Sequence, residues 1–355
     1  MPLPIVIAGM HRSGTSLTAS VAGSVGVDLG ENMFRADCFN TKGYFEDLDF
    51  LEFQRSLLQE CCPPGELGWP DWGWTESESL DRSKLEKYRE AAQELIASRR
   101  DRSGVWGWKD PRTSLLLDFW HQLLPDARFI LVYRYPWDVA DSIVRINGGI
   151  FSERPDFALK IWRYYNRHLL EFYRQHPERC ILLSVNGFVR QPHRLLELME
   201  TKLGLPVSSK VNANWRSEQL QKIYDPNLLR ALPASHPLVR LLKKMVPQCV
   251  AGLEELDRVA DIKSFPETLA ANYKDENQEP LEKLPLEGLV LLLYRQAIAS
   301  RTQLESLAGQ AHQEKLALTS EIDRLEREIA SLKSSQPKGL RKIISFLPKR
   351  LTNLL

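Results

Sequence analysis

Cysteine is scarce and odd in number. Five residues, Cys38, Cys61, Cys62, Cys180 and Cys249, are spread over 355 positions. They have neither the paired spacing of a zinc site nor the even count of a disulfide framework. Cys180 opens an apolar run and reads as a small core residue. Vicinal Cys61 and Cys62 read as reduced thiols, with a redox pair as the alternative. An excess of one charge is also lacking: 47 basic residues face 46 acidic ones, a net charge of +1. No global field draws nucleic acid. No stretch reaches the roughly 18 consecutive apolar residues of a membrane span. The first residues, Met-Pro-Leu-Pro-Ile, show no basic segment followed by an apolar run and a cleavage site, so the expected location is cytoplasmic. What is present is a 43% hydrophobic share and the length for one large α/β domain with an appendage.

The chain is organised around Ile5-Val-Ile-Ala-Gly9-Met-His-Arg-Ser-Gly14-Thr-Ser-Leu-Thr18. A β-branched run leads into a loop bounded by Gly9 and Gly14, and Leu17, Val21 and Val25 then recur at helical spacing. Strand, glycine loop and helix in this order place free N–H groups and a positive dipole end at one point, an anion site. The spacing resembles the nucleotide-binding P-loop, except that Thr15 stands where that loop has its lysine and the basic residue is Arg12. Without the lysine, triphosphate hydrolysis is disfavoured. A mid-loop arginine suits a phosphate joined to a second oxyanion group.

Beyond the first helix, Asn40-Thr-Lys-Gly43-Tyr44-Phe45-Glu46 forms a turn into a helix from Leu48 to Leu58 with an acidic start. A Gly/Pro loop with Trp69, Trp72 and Trp74 follows, either a surface plug or a platform for a sugar ring. A polar helix is expected over Ser79 to Ser98, then a short strand, Val105 to Trp108, entering Lys109-Asp110-Pro111-Arg112. Next comes Arg128-Phe-Ile-Leu-Val-Tyr-Arg134, continuous and apolar as a strand buried on both faces should be. Pro136 fits the first turn of the helix after it, with Ser142 about two turns in. A helix over Phe157 to Gln175, a strand from Cys180 to Val185 and a helix from Gln191 capped at Gly204 complete an alternating pattern, which argues for a parallel sheet covered on both faces. Val207 to Asp261 reads as peripheral and helical.

The remainder differs. After a polar linker, Leu304, Ala308, Ala311, Lys315, Leu318, Ile322, Leu325, Ile329 and Leu332 follow alternating steps of four and three, the seam of a coiled coil able to pair copies of the chain. A single long surface helix is the alternative. The tail carries Lys338, Arg341, Lys342, Lys349 and Arg350 among apolar residues, suited to an anionic membrane surface or to a disordered basic end. The expected division is residues 1–262 as the catalytic domain, 263–285 as linker, 286–335 as coiled coil and 336–355 as basic amphipathic tail.

Gly9 to Ser16, the pair Arg134 and Ser142, and Lys109-Asp110-Pro111 together resemble the sulfotransferases that use 3′-phosphoadenosine 5′-phosphosulfate (PAPS). Gly43-Tyr44-Phe45-Glu46 is similar to a stretch of bacterial carbohydrate-type members, and the lysine segment to the tyrosylprotein branch. The likeness covers roughly Ile5 to Leu205. It departs at Tyr135, where many members have aspartate, and near Asn186-Gly187-Phe188, where a tyrosine is common. The C-terminal glycine motif of the cytosolic small-molecule enzymes is absent.

The resemblance implies a P-loop-like three-layer α/β/α fold with a central parallel sheet, and in-line sulfuryl transfer to an acceptor hydroxyl, most plausibly on a carbohydrate or glycolipid. His11, Arg12, Ser13, Gly14, Thr15, Ser16, Arg134 and Ser142 would bind the donor. Lys109 would support the leaving group, and no metal is required. Glu46 is the first choice as base and Glu31 the second. A nucleotide kinase and a non-catalytic scaffold working through its coiled coil stand as rival readings.

Overall fold

A computed structural model describes residues 3–35, 43–68, 71–100, 104–146, 150–154, 156–207, 229–264 and 286–335. Cys38, Asn40, Trp69, nearly all of the expected linker and the basic tail lie outside them. The chain divides into two compact units, residues 1–276 and 277–355.

In the first unit, β1 (Leu3–Gly9), β2 (Val105–Lys109), β3 (Arg128–Tyr133) and β4 (Cys180–Ser184) form a wholly parallel sheet in the order β2-β1-β3-β4. Its helices are α1 (Thr15–Ser24), α2 (Leu48–Cys61), α3 (Arg89–Arg100), α4 (Leu117–Leu123), α5 (Pro136–Ile146), α6 (Ile150–Glu153), α7 (Phe157–Gln175), α8 (Val185–Phe188), α9 (Pro192–Thr201), α10 (Pro237–Met245) and α11 (Pro247–Val259). The second unit is described by α12 (Leu286–Ser335).

The strands alternate between two cores, which is why their sequences are apolar throughout. Val6, Ala8, Phe129, Leu131 and Leu182 pack with Leu57 and Leu58 of α2, Trp120 of α4, and Ile161 and Trp162 of α7. Ile5, Ile7, Ile130, Val132 and Ile181 point the other way, onto Leu17 and Val21 of α1 and Leu195 and Met199 of α9. The result is the three-layer α/β/α arrangement with a parallel central sheet.

Local chemistry shifts some boundaries. The helix expected over Ser79 to Ser98 starts as a 3₁₀ turn, Arg82–Tyr88, because the Asp81 carboxylate accepts the Ser83 N–H at 3.2 Å. α9 stops at Thr201, three residues before Gly204, whose φ of +72° lets the chain reverse. The segment after α11 returns to the sheet edge: Leu183 bridges Ile262 in parallel, and Ser184 N–H donates to Ile262 C=O at 2.8 Å. Among the described residues no helix is long and apolar enough to cross a membrane.

Candidate active site

Strand order fixes where a ligand sits. β1 has β2 on one side and β3 on the other, so the connections leaving β1 and β3 diverge and open a crevice at their carboxyl ends. The Gly9–Gly14 loop and the segment from Arg134 border that crevice.

The loop is tightly constrained. A Cβ on Gly9 would lie 2.3 Å from the Val132 carbonyl oxygen, so only glycine lets β1 meet β3 there. Ser13 N–H closes a turn onto Met10 C=O at 3.1 Å, and Arg12 and Gly14 take φ of +67° and +94°. Gly14 caps α1 without a side-chain bond, and the first turn of α1 contains no acidic residue. The start of α2 differs, since Asp47 accepts the Asp49 N–H there at 2.9 Å. The Ser13 hydroxyl is buried and has no hydrogen-bond partner. An uncapped helix start beside an unpartnered buried hydroxyl fits an anion.

The two loops are bonded to each other. Arg12 Nε donates to Ser142 Oγ at 2.9 Å, and Arg134 Nη1 donates to the Arg12 carbonyl at 2.9 Å. Arg134 also donates to the Arg230 carbonyl and lies 3.8 Å from Asp138. Burial, opposed by Asp138, pushes its pKa down to about 10. Asp138 is held in turn by Asn186 Nδ2 and by Leu232 N–H, each at 2.9 Å. Asn186 Oδ1 accepts the Tyr135 N–H at 3.1 Å. Tyr135 is thereby bonded to the Asn186-Gly187-Phe188 segment, the other place where the sequence resemblance departs. The guanidinium expected to face a phosphate also props the loop from below.

β2 delivers Lys109 to the same crevice. Its ammonium donates to Glu46 Oε1 at 2.6 Å and to the Tyr44 carbonyl at 3.0 Å, and Ser16 Oγ donates to that carbonyl at 3.1 Å. Lys109 and Glu46 are both buried, so this is a desolvated ion pair. Glu31 occupies an exposed turn whose neighbours Asn32 and Phe34 bond the main chain at Leu48 and Glu46. The next residue on the lysine segment, Asp110, caps the 3₁₀ turn Pro111–Leu115. It accepts from Arg112 N–H at 2.8 Å and from Gln54 Nε2 at 2.9 Å. Burial raises its pKa to about 6 against the pull of Arg112.

His11 forms the aromatic wall. Its ring lies 4.0 Å from that of Trp72, which meets Phe151 edge-on at 5.1 Å. Tyr165 of α7 donates to the Trp72 carbonyl. Burial, then the charges of Arg112, Lys109 and Arg12, hold the His11 imidazole well below its usual range. His11 Nδ1 is buried without a partner. Trp74, from the same loop as Trp72, is 2% exposed and belongs to the core. Of the tryptophans in this loop, Trp74 thus joins the core and Trp72 lines the crevice beside His11.

Tyr165, Phe151, Gln54 and Asp138 were not singled out by sequence. Gln54 had a signal, a polar side chain on the Phe50-Leu51-Leu57-Leu58 stripe of α2; Tyr165 and Phe151 read as ordinary core aromatics. Cys61 and Cys62 are buried, with burial raising both thiols, Cys62 to about 12. Raised thiols of this kind are poor nucleophiles, which fits the reading of reduced thiols.

This fold defines an α/β protein of P-loop-like type. Residues 4–209 match the profile of the Sulfotransferase family, and the chain belongs to that family. Among solved structures it is similar to the sulfotransferase domain from the Synechococcus PCC 7002 olefin synthase, at 18% identity and TM-score 0.39, covering 72% of this chain and 94% of that one. It is also similar to the sulfotransferase STF9 from Mycobacterium avium, at 15% identity and TM-score 0.41, covering 70% and 76%. No curated protein matches the chain.

Proposed function

We propose that this sulfotransferase moves a sulfuryl group from PAPS to a carbohydrate hydroxyl. The observation that carries the reading is the bonding of the two anion loops through Arg12, Ser142 and Arg134, which makes one continuous binding edge for a donor with phosphates at both ends. The buried, unpartnered Ser13 hydroxyl and the uncapped α1 start fit the donor's phosphosulfate end. Arginine has five donors. The carbonyls of Arg12 and Arg230 take one from each terminal nitrogen of Arg134, which keeps capacity for a 3′-phosphate beside Ser142.

In this reading the residues act by position and charge, as in phosphoryl transfer. Arg12 and the loop N–H groups hold the equatorial oxygens. Glu46 takes the acceptor's proton through the oxygen that Lys109 does not engage, and the acceptor oxygen bonds to sulfur. The bond from sulfur to the bridging oxygen breaks in the same step. Lys109, with a third ammonium proton beyond those given to Glu46 and Tyr44, neutralises the charge left on the departing phosphate. The buried place of Glu46 beside Lys109 supports it over exposed Glu31 as base. His11 stays neutral at physiological pH, and Trp72 beside it offers a ring face on which a sugar ring stacks.

Calorimetric titration with 3′-phosphoadenosine 5′-phosphate, ADP and ATP tests the donor. Binding that requires the 3′-phosphate is expected. Equal binding of ATP would return the chain to the kinase reading, and binding of none would favour the scaffold. Trp72→Ala should raise the KM for a carbohydrate acceptor and leave the affinity for the desulfated donor unchanged.

A further inference from the structure

α12 spans 50 residues, about 75 Å at 1.5 Å per residue. From Arg301 to Ser331 every residue on it is exposed, including Leu318 at 64% and Ile329 at 50%. A helix draws most of its stability from burying an apolar stripe, so a stripe this exposed calls for a partner.

The stripe specifies what kind. Its alternating steps place Ala308, Lys315, Ile322 and Ile329 at heptad position a, and Leu304, Ala311, Leu318 and Leu325 at d. β-Branched residues at a with leucine at d favour two parallel strands, and one lysine at a fixes register at a cost in stability. Charge points the same way. The g positions are Leu307, Glu314, Glu321 and Glu328. An antiparallel pair sets g against g and e against e, so at full overlap Glu314 faces Glu321 and Glu305 faces Glu326, each twice by symmetry. A parallel pair sets g against e of the next heptad, so Glu314 faces Thr319 and only Glu321 meets a like charge, Glu326. In parallel register the hole receiving each a side chain is flanked by the preceding g residue of the facing helix. Lys315 then lies beside Glu314 of the second copy, twice by symmetry. We propose that residues 304–329 form a parallel, in-register, two-stranded coiled coil with a second copy of this chain.

Sedimentation equilibrium of the full chain should give twice the 40.8 kDa chain mass, and Ile322→Glu should return it to the single-chain mass. Orientation is read from Ala308→Cys and Ile329→Cys, each in a Cys38→Ser background under mild oxidation. Both should cross-link to themselves only if the helices are parallel and in register, since an antiparallel pair can juxtapose at most one position with itself. Single-chain mass at every concentration, three or more chains, doubling that survives Ile322→Glu, or self-cross-linking at one position or neither would each overturn the proposal. Tryptophan fluorescence controls for folding of the first unit, because α12 contains no tryptophan. The proposal does not depend on the donor or acceptor.

Discussion

Removing the ammonium of Lys109 tests whether the Lys109–Glu46 pair is an electrostatic unit of the site. At their 2.6 Å separation, an effective dielectric of about 20 gives roughly 6 kcal/mol of attraction. Each charge gives up a hydration shell worth several kcal/mol on burial, so the intact pair contributes little net stability. Lys109→Met should nevertheless cost about 3–5 kcal/mol, because the Glu46 carboxylate stays buried and unmatched. Glu46→Gln should cost a similar amount by stranding the ammonium. The double variant strands neither, and its penalty should fall short of the sum by about 2–3 kcal/mol. Urea unfolding followed by tryptophan fluorescence measures all three, since every tryptophan lies at or before Trp215 and reports on the first unit. Penalties that add to within about 0.5 kcal/mol, or a Lys109→Met cost below about 1 kcal/mol, would refute the reasoning.

Three further outcomes follow from the geometry. Gly14→Ala places a Cβ 2.5 Å from Val185 Cγ2 at a φ of +94°. Denaturation should show a loss of about 2–4 kcal/mol, of which a second change, Val185→Ala, recovers only the steric part. Ser142→Ala removes the acceptor of Arg12 Nε and should weaken binding of the desulfated donor about five- to tenfold by calorimetry, with the fold intact. Asp110 has a pKa raised from 3.8 to about 6, so its protonated form is favoured in the folded state. Its contribution is full below the unfolded value and is lost as pH rises through about 6. The stability of wild type relative to Asp110→Asn should fall across that window, and a difference independent of pH would contradict the assignment.

Elements were more legible in the sequence than contacts. Runs such as Ile5 to Ile7 and Phe129 to Tyr133 have the composition of strands buried on both faces, and Gly9 and Gly14 marked a loop that other residues cannot build. The pairings that make the site join distant residues: Lys109 reaches Glu46 across 63 positions and Arg12 reaches Ser142 across 130. Spacing brought Arg134 and Ser142 to one place, but the Arg134 side chain turns under the loop to meet main-chain carbonyls that no sequence pattern marks. Trp72 and Trp74 share a loop and part company because Gly68 and Trp74 bridge antiparallel, a backbone approach with no room for a Cβ at Gly68, which sends Trp74 into the core.

The return of the chain to β4 has a consequence for where this protein begins and ends as a physical object. The family match ends at residue 209, whereas the contacts that hold the first unit together do not. Leu232 completes Asp138, the Arg230 carbonyl holds Arg134, and Asp257 binds both Tyr133 and Ser264. Ile262 covers the rim of β4, where an open strand would recruit foreign chains. A fragment cut at the family boundary would carry the loop, the lysine and the glutamate but not the buckle that keeps them taut. A piece that keeps these supports of the site has to run at least through Ser264.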